Sequence, residues 1–168
     1  NKSLGLIFEK QSTRTRLSFS IGMQKLGGNV IELNQEQIGF GTRESLEDLL
    51  KVMSQYLDVL MIRNDDHEKL NYLSSLNIIP IINGLSNLSH PCQILSDIFT
   101  IEEYLGKINN ITVTWMGDFN NVLFSLIQAA EIFEFTLNIL TPKSLVNKSQ
   151  KFIKNNLQLK FTNFFDNI

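Results

Sequence analysis

Residues Ser3–Leu33 read SLGLIFEKQSTRTRLSFSIGMQKLGGNVIEL. An unbroken apolar run, a polar interruption, a segment of helical period, two glycines and a second apolar run follow in order. Leu4–Phe8 shows no polar alternation, the pattern of a strand covered on both faces. Ser12 or Thr13 can start a helix, and the spacing predicts one over Thr13–Leu26. Gly27 and Gly28 can end it, because glycine takes a left-handed backbone without steric cost. Asn29–Leu33 then predicts a second strand. Strand, helix and strand in this order make a βαβ unit with parallel strands.

The pattern continues outward. Val59–Ile62, Ile78–Ile82, Ile111–Met116 and Thr136–Leu140 are further short apolar runs. Helical period predicts helices over Ser45–Leu57, Asp66–Leu76, Pro91–Leu105, Val122–Phe133 and Ser144–Asn155. Leu46, Leu49, Leu50, Met53 and Leu57 fall on one buried face, and Asp65–Asp66 can cap the following helix. Pro91 is favoured in a first helical turn, and after that helix "KINNITVTWMGD" begins a new strand. The reading is an α/β fold with a mainly parallel sheet, followed by the start of a second α/β domain. Residues 1–90 form the first domain, 91–106 a helix between domains, and 107–168 part of the second.

Composition narrows the function classes. The 168 residues are 43% hydrophobic and 19% charged, as in an ordinary globular protein. A net charge of −2 argues against a general nucleic-acid binder. No apolar run approaches the roughly 20 residues a membrane helix needs. Cys92 is the one cysteine, so no disulfide can form within the chain and a reducing, cytoplasmic setting is expected. The sequons at Asn87, Asn110 and Asn147 then read as chance matches. The chain starts at Asn1 almost directly in a strand and ends within what reads as a strand and loop, so a fragment is expected.

Ligands of open α/β sheets bind beyond the carboxyl ends of the strands. Those ends carry "EKQSTRTR", Arg63, "NGLSNLSHPCQ" and "GDFNN". A helix N-terminus presents unpaired N–H groups and partial positive charge, so Ser12, Thr13, Arg14 and Thr15 can hold a small dense anion. The same residues also read as an ordinary cap with Arg14 and Arg16 in solvent. No Walker or G-x-G-x-x-G loop points to a nucleotide. Arg63 closes a buried strand, facing a ligand or a rim carboxylate among Asp65, Asp66 and Glu68. His90 can donate to a developing oxyanion and Gln93 can recognise an amide; both also read as structural. Asp118, Asn120 and Asn121 read as a turn and cap or as ligand contacts. Cys92 reads as a small buried thiol and His67 as solvent-facing. No cysteine–histidine spacing implies a metal, and no cofactor is expected.

Taken together, "FEKQSTRTRLSF", "ESLEDLLKVMSQYLDVLMIR", "NGLSNLSHPCQILSD" and "WMGDFNNV" resemble the aspartate/ornithine carbamoyltransferase family. "GDFNN" favours its ornithine branch. The resemblance implies a carbamoyl-phosphate-binding domain, here without its N-terminal helix, and a truncated ornithine-binding domain. It implies a homotrimeric enzyme of arginine metabolism in its full-length form, with arginine biosynthesis and breakdown both open as its direction of use. That enzyme makes citrulline and phosphate from carbamoyl phosphate and ornithine. By position, Ser12, Thr13, Arg14 and Thr15 would hold the phosphate. Arg63 and His90 would polarise the carbamoyl oxygen as the catalytic pair, and Gln93 would bind the carbamoyl nitrogen. Gln37 would reach a neighbouring subunit's site, and Asn121 would contact ornithine. Two other readings stay open: a carbamoyltransferase acting on aspartate, putrescine or acetylornithine, and an inactive phosphate-binding remnant.

Some residues depart from the family pattern. The loop "QIGFGTRES" is longer than usual, which gives Arg43 as an alternative to Gln37. Phe119 and Phe124 replace a small residue and a histidine. The family's ornithine loop (an Asp and Ser-Met-Gly), its Cys-Leu-Pro motif and its closing arginine all fall beyond Ile168.

Overall fold

The computed structural model describes residues 2–34, 38–39, 43–141 and 159–165. The chain divides into two compact units, Asn1–Asn87 and Leu88–Ile168. The first is built from β1 (Ser3–Phe8), α1 (Thr13–Lys25), β2 (Asn29–Leu33), α2 (Leu46–Ser54), β3 (Val59–Arg63), α3 (His67–Ser75) and β4 (Ile81–Leu85). Its sheet has the order β2-β1-β3-β4, and every neighbouring pair is parallel. Each helix crosses between parallel strands, so both faces of the central strands are covered: Leu6, Ile7, Leu60, Met61 and Ile62 are fully buried.

The order has a direct consequence for function. From β1 the chain moves outward one way to β2, and from β3 it moves the other way to β4. The turnover lies between β1 and β3, and such a switch point opens a crevice at the carboxyl ends of the two strands.

Local chemistry sets the helix ends. The Ser12 Oγ accepts from the Thr15 backbone N at 3.4 Å, the Ser45 Oγ from Asp48 N at 3.1 Å, and the Asp66 Oδ1 from Lys69 N at 3.0 Å. Gly27, at φ 79°, follows α1 in the left-handed region a helix exit favours. On α2, Leu49, Leu50 and Met53 are buried, and Leu57 joins them from just past the helix end.

β4 begins at Ile81, not at Ile78. Pro80 has no N–H to give to the ladder, although its carbonyl accepts from Leu60 N at 2.9 Å. The strand therefore runs on through Asn83 and Gly84, two residues poor in strand propensity. His67 also departs from expectation: it is half-buried, with Nδ1 2.8 Å from the Oγ of fully buried Ser86.

In the second unit are α4 (Pro91–Leu105), a 3-10 turn (Ile108–Asn110), β5 (Thr112–Met116), α5 (Asn121–Phe133), β6 (Thr136–Leu140) and β7 (Thr162–Phe165). The strands are parallel in the order β5-β6-β7. Ile94 and Ile98 of α4 and Leu123, Leu126 and Ile127 of α5 share a core with Phe135, Leu137 and Ile139. β5 alternates, with Thr112, Thr114 and Met116 exposed. This strand is covered on one face only, unlike the expectation from its apolar run. The helix expected over Ser144–Asn155 lies outside the described residues.

Glu131 of α5 fixes the start of β7. Its carboxylate accepts from Lys160 N at 2.7 Å, Phe161 N at 3.1 Å and Thr162 Oγ1 at 3.2 Å. Replacing Glu131 with Ala removes two acceptor oxygens and three hydrogen bonds at once. We expect hydrogen exchange at the Lys160 and Phe161 amides to speed up by about tenfold or more, from the roughly 1.5–3 kcal/mol of a charged hydrogen bond. Unchanged exchange would show that β7 is held by its ladder alone.

Candidate functional site

Within the first unit, the carboxyl ends of β1 and β3 bring two sequence-distant groups together. Phe8 and Arg63 are register partners on adjacent strands, so the loop leaving β1 starts beside Arg63. Glu9 N donates to Arg63 O at 3.0 Å. The ladder shifts between Ile62 and Arg63, where Ile62 pairs with Asn83 but Arg63 pairs with Leu85. A bulge of this kind re-aims the side chain that follows it. Arg63 Nη1 reaches Thr15 Oγ1 at 3.4 Å, and neither Asp65 nor Asp66 takes it as a rim partner. Asp65 pairs instead with Lys10, while Asp66 caps α3.

The hydroxyls at the start of α1 are already ordered. Ser12 Oγ accepts from Thr15 N and donates to Thr15 Oγ1 at 2.9 Å. Thr15 Oγ1 thus accepts from both Ser12 and Arg63, and a hydroxyl has one proton and two lone pairs. Its own proton is left as a donor. The backbone N–H groups of Thr13 and Arg14, in the first turn, have no carbonyl within the helix to bind. Arg14 is exposed, and the Nε of Arg63 is buried without an acceptor among the described residues. The result is a cluster of donors with partial and full positive charge, suited to an anion with several oxygens.

The loop carrying these donors is held from two sides. Glu9 pairs with Lys69 at 3.0 Å with both side chains largely buried, and Lys10 pairs with Asp65. Arg16 does not point freely into solvent. Its Nη2 lies 2.9 Å from Glu32 Oε1, and its guanidinium sits 5.0 Å from the Phe8 ring centroid. The two arginines of the motif therefore divide: Arg16 fastens α1 to the sheet and Arg14 stays exposed.

The second unit carries His90, Gln93 and Asn121. His90 is the residue preceding α4, with Pro91 in its first turn. Gln93 is exposed, and its Nε2 donates to Asp97 Oδ1 at 2.8 Å. At the other helix start, Asn120 Oδ1 accepts from Val122 N at 2.9 Å and Leu123 N at 3.1 Å. Asn120 is thus the cap, and half-buried Asn121 is the first helical residue. The Asp118 carbonyl accepts from Trp115 Nε1 at 3.3 Å. Phe124 is buried, and Phe119 packs against the core that contains Leu123, Ile127 and Phe135.

Cys92 is only half-buried, and burial pushes its thiol above the usual thiol range. A raised thiol is a poor nucleophile at neutral pH. Gln37 lies outside the described residues. Arg43 is exposed, and its backbone N donates to Gly39 O at 3.3 Å. Among the described residues no cluster of His, Cys, Asp and Glu forms a metal-ligand set. None of the described helices is long and apolar enough to cross a membrane.

The supporting residues Glu9, Lys69 and Arg16 were not legible as such, because their partners lie far along the chain. Arg16 was visible only as a motif member, with nothing in the string to separate it from Arg14.

Residues 1–103 match the profile of the aspartate/ornithine carbamoyltransferase carbamoyl-P binding domain. The chain belongs to the aspartate/ornithine carbamoyltransferase family. Residues 109–164 match the family's Asp/Orn binding domain. Among curated relatives, an ornithine carbamoyltransferase of Brucella ovis is 48% identical over 149 residues, covering 89% of this chain and 48% of the relative. One of Nitrobacter winogradskyi is 47% identical over 151 residues, covering 89% and 49%. The chain spans about half the length of the curated relatives it matches. Among solved structures, the ornithine carbamoyltransferase of Burkholderia thailandensis superposes with a TM-score of 0.86 at 39% identity, covering 99% of this chain and 57% of that one. That of Pyrococcus furiosus gives 0.80 at 39% identity, covering 90% and 49%. The resemblance read from the motifs is therefore a family membership, and the α/β class with parallel sheets holds.

Proposed function

We propose that this family member is part of an ornithine carbamoyltransferase. In this reading it transfers the carbamoyl group of carbamoyl phosphate to the δ-amine of ornithine, giving citrulline and phosphate in arginine metabolism. The observation that carries the reading is the contact of Arg63 Nη1 with Thr15 Oγ1. It unites a strand-end arginine with the donor-rich start of α1, at a switch point where ligands of such sheets bind.

The roles are those that family membership implies for these positions. Ser12, Thr13, Arg14 and Thr15 hold the phosphate through hydroxyls, first-turn N–H groups and a guanidinium. Arg63 and His90 donate toward the carbamoyl oxygen, and Gln93 takes the carbamoyl nitrogen. Asn121 contacts ornithine. Gln37 reaches the site of a neighbouring subunit in a homotrimer, and the enzyme works in the cytoplasm. The domain division proposed with these roles is 1–90 for carbamoyl phosphate, 91–106 for a linking helix and 107–168 for ornithine.

The neutral δ-amine attacks the carbamoyl carbon, forming a C–N bond while negative charge builds on the carbonyl oxygen. The intermediate collapses as the bond from carbon to the bridging oxygen breaks. Phosphate leaves with that electron pair, and the amine loses a proton. Charge develops on two sets of oxygens, and preorganised donors aimed at both are what the path requires.

Acceptor choice is the test. We expect a colorimetric assay to detect carbamoyl transfer to ornithine by the protein containing this chain at its relatives' length. Aspartate, putrescine and acetylornithine should give less than about one hundredth of that rate, since a site built to hydrogen-bond a specific polar group rejects an analogue lacking it by about 10⁴–10⁵-fold. The 168-residue chain alone should bind carbamoyl phosphate weakly and turn over none. Transfer to aspartate at an equal rate would overturn the ornithine assignment.

A further inference from the structure

Ser125 is a hydroxyl inside an apolar helix. Its neighbours along α5 (Leu123, Phe124, Leu126, Ile127, Ala129 and Ala130) are all buried, and Ser125 itself is only 4% exposed. A serine in such a setting often turns its hydroxyl back on its own helix. This one bonds to a different segment. Ser125 Oγ accepts from the His90 backbone N at 2.8 Å and lies 2.9 Å from the Oγ of buried Ser89.

The His90 N–H needs such a partner. His90 precedes α4, so its N–H lies outside the helical ladder, and its side chain makes no cap bond. A buried donor left without an acceptor is costly. Ser125 meets that need from a neighbouring helix, which fixes the backbone at which α4 begins. His90 sits at that point and Gln93 lies within the first turn. Asn121 lies one turn before Ser125, at i and i+4 on one face of α5. One buried hydroxyl thus ties the His90–Gln93 turn to the helix whose first residue is Asn121.

We propose that Ser125 is a positioning residue for carbamoyl recognition, holding the His90–Gln93 turn in place without touching substrate. The proposal rests on the carbamoyl phosphate reading above, in which His90 and Gln93 meet the carbamoyl group and the start of α1 meets the phosphate. Ser125 should therefore matter for the difference between carbamoyl phosphate and inorganic phosphate, and not for phosphate itself.

The test titrates both ligands into the wild-type chain, Ser125→Ala and Ser125→Cys by calorimetry, and follows amide exchange at His90. Ile127→Val serves as a control that loosens the same core without removing a hydroxyl. We expect Ser125→Ala to weaken carbamoyl phosphate by about tenfold, corresponding to roughly 1.4 kcal/mol. Phosphate should stay within about twofold, and exchange at the His90 amide should speed up. Ile127→Val should lower stability and leave the ratio of the two affinities unchanged. Ser125→Cys keeps the volume with a weaker acceptor, and carries the same expectation should the alanine variant not fold. An unchanged ratio in the folded serine variants, or an equal loss for both ligands, would overturn the positioning role while leaving the carbamoyl phosphate site intact. A wild-type chain that binds carbamoyl phosphate no better than phosphate would overturn the proposal together with the reading beneath it.

Discussion

Replacing Arg14 with Ala is expected to weaken carbamoyl phosphate binding by about 10- to 100-fold, from the roughly 1.5–3 kcal/mol that a hydrogen bond to a charged group contributes. Arg14 is exposed at the start of α1 while Arg16 is engaged by Glu32 and Phe8. Of the two motif arginines, then, Arg14 is the one disposed to meet a ligand. Inorganic phosphate should suffer nearly the same loss, since the guanidinium addresses phosphate oxygens. Arg14→Lys should recover part of it: the charge returns, but the two-pronged geometry does not. Because the side chain is exposed, the effect should shrink as salt rises toward molar concentrations. Calorimetry at two ionic strengths checks all of these outcomes. Unaltered affinity in Arg14→Ala would leave the motif as a helix cap and favour an inert scaffold.

The second large effect concerns the sheet that carries the site. Leu60, fully buried on β3, packs where Gly5 of the adjacent β1 has no side chain. A Cβ added at Gly5 would lie 2.6 Å from Leu60 Cδ2 and 2.6 Å from Leu57 Cδ1. Leu60→Ala should destabilise the protein by about 2–5 kcal/mol through lost transfer energy and a cavity. Gly5→Ala should destabilise by about 1–3 kcal/mol through overpacking. Together they should cost less than their sum, by about 0.5–3 kcal/mol, because the new methyl fills part of the cavity and meets one clash fewer. Urea denaturation of the four proteins measures the cycle. Strict additivity would mean that the two residues do not share that space.

What could be read from the string follows from the range over which each signal acts. β2, β6 and α4 match their expected bounds because a short apolar run or a helical period with a marked start is local. The donors at Ser12–Thr15 were visible for the same reason. β4 was placed three residues early, because Pro80 interrupts a continuous isoleucine-rich run and the strand resumes through Asn83 and Gly84. Register was out of reach: nothing in "VLMIR" discloses the shift between Ile62 and Arg63 that accompanies the contact with Thr15. Nor could pairs such as His67–Ser86, Glu9–Lys69 and His90–Ser125 be foreseen. Each joins groups that only the packed fold brings together.

The central claim is that the start of α1 and Arg63 form one anion site for carbamoyl phosphate. Amide and guanidinium NMR during a carbamoyl phosphate titration tests it most directly. Saturable shifts are expected at the Thr13, Arg14 and Thr15 amides and at Arg63 Nε, all with one dissociation constant and reversed by competing phosphate. Saturating carbamoyl phosphate that leaves these four signals unmoved would contradict it.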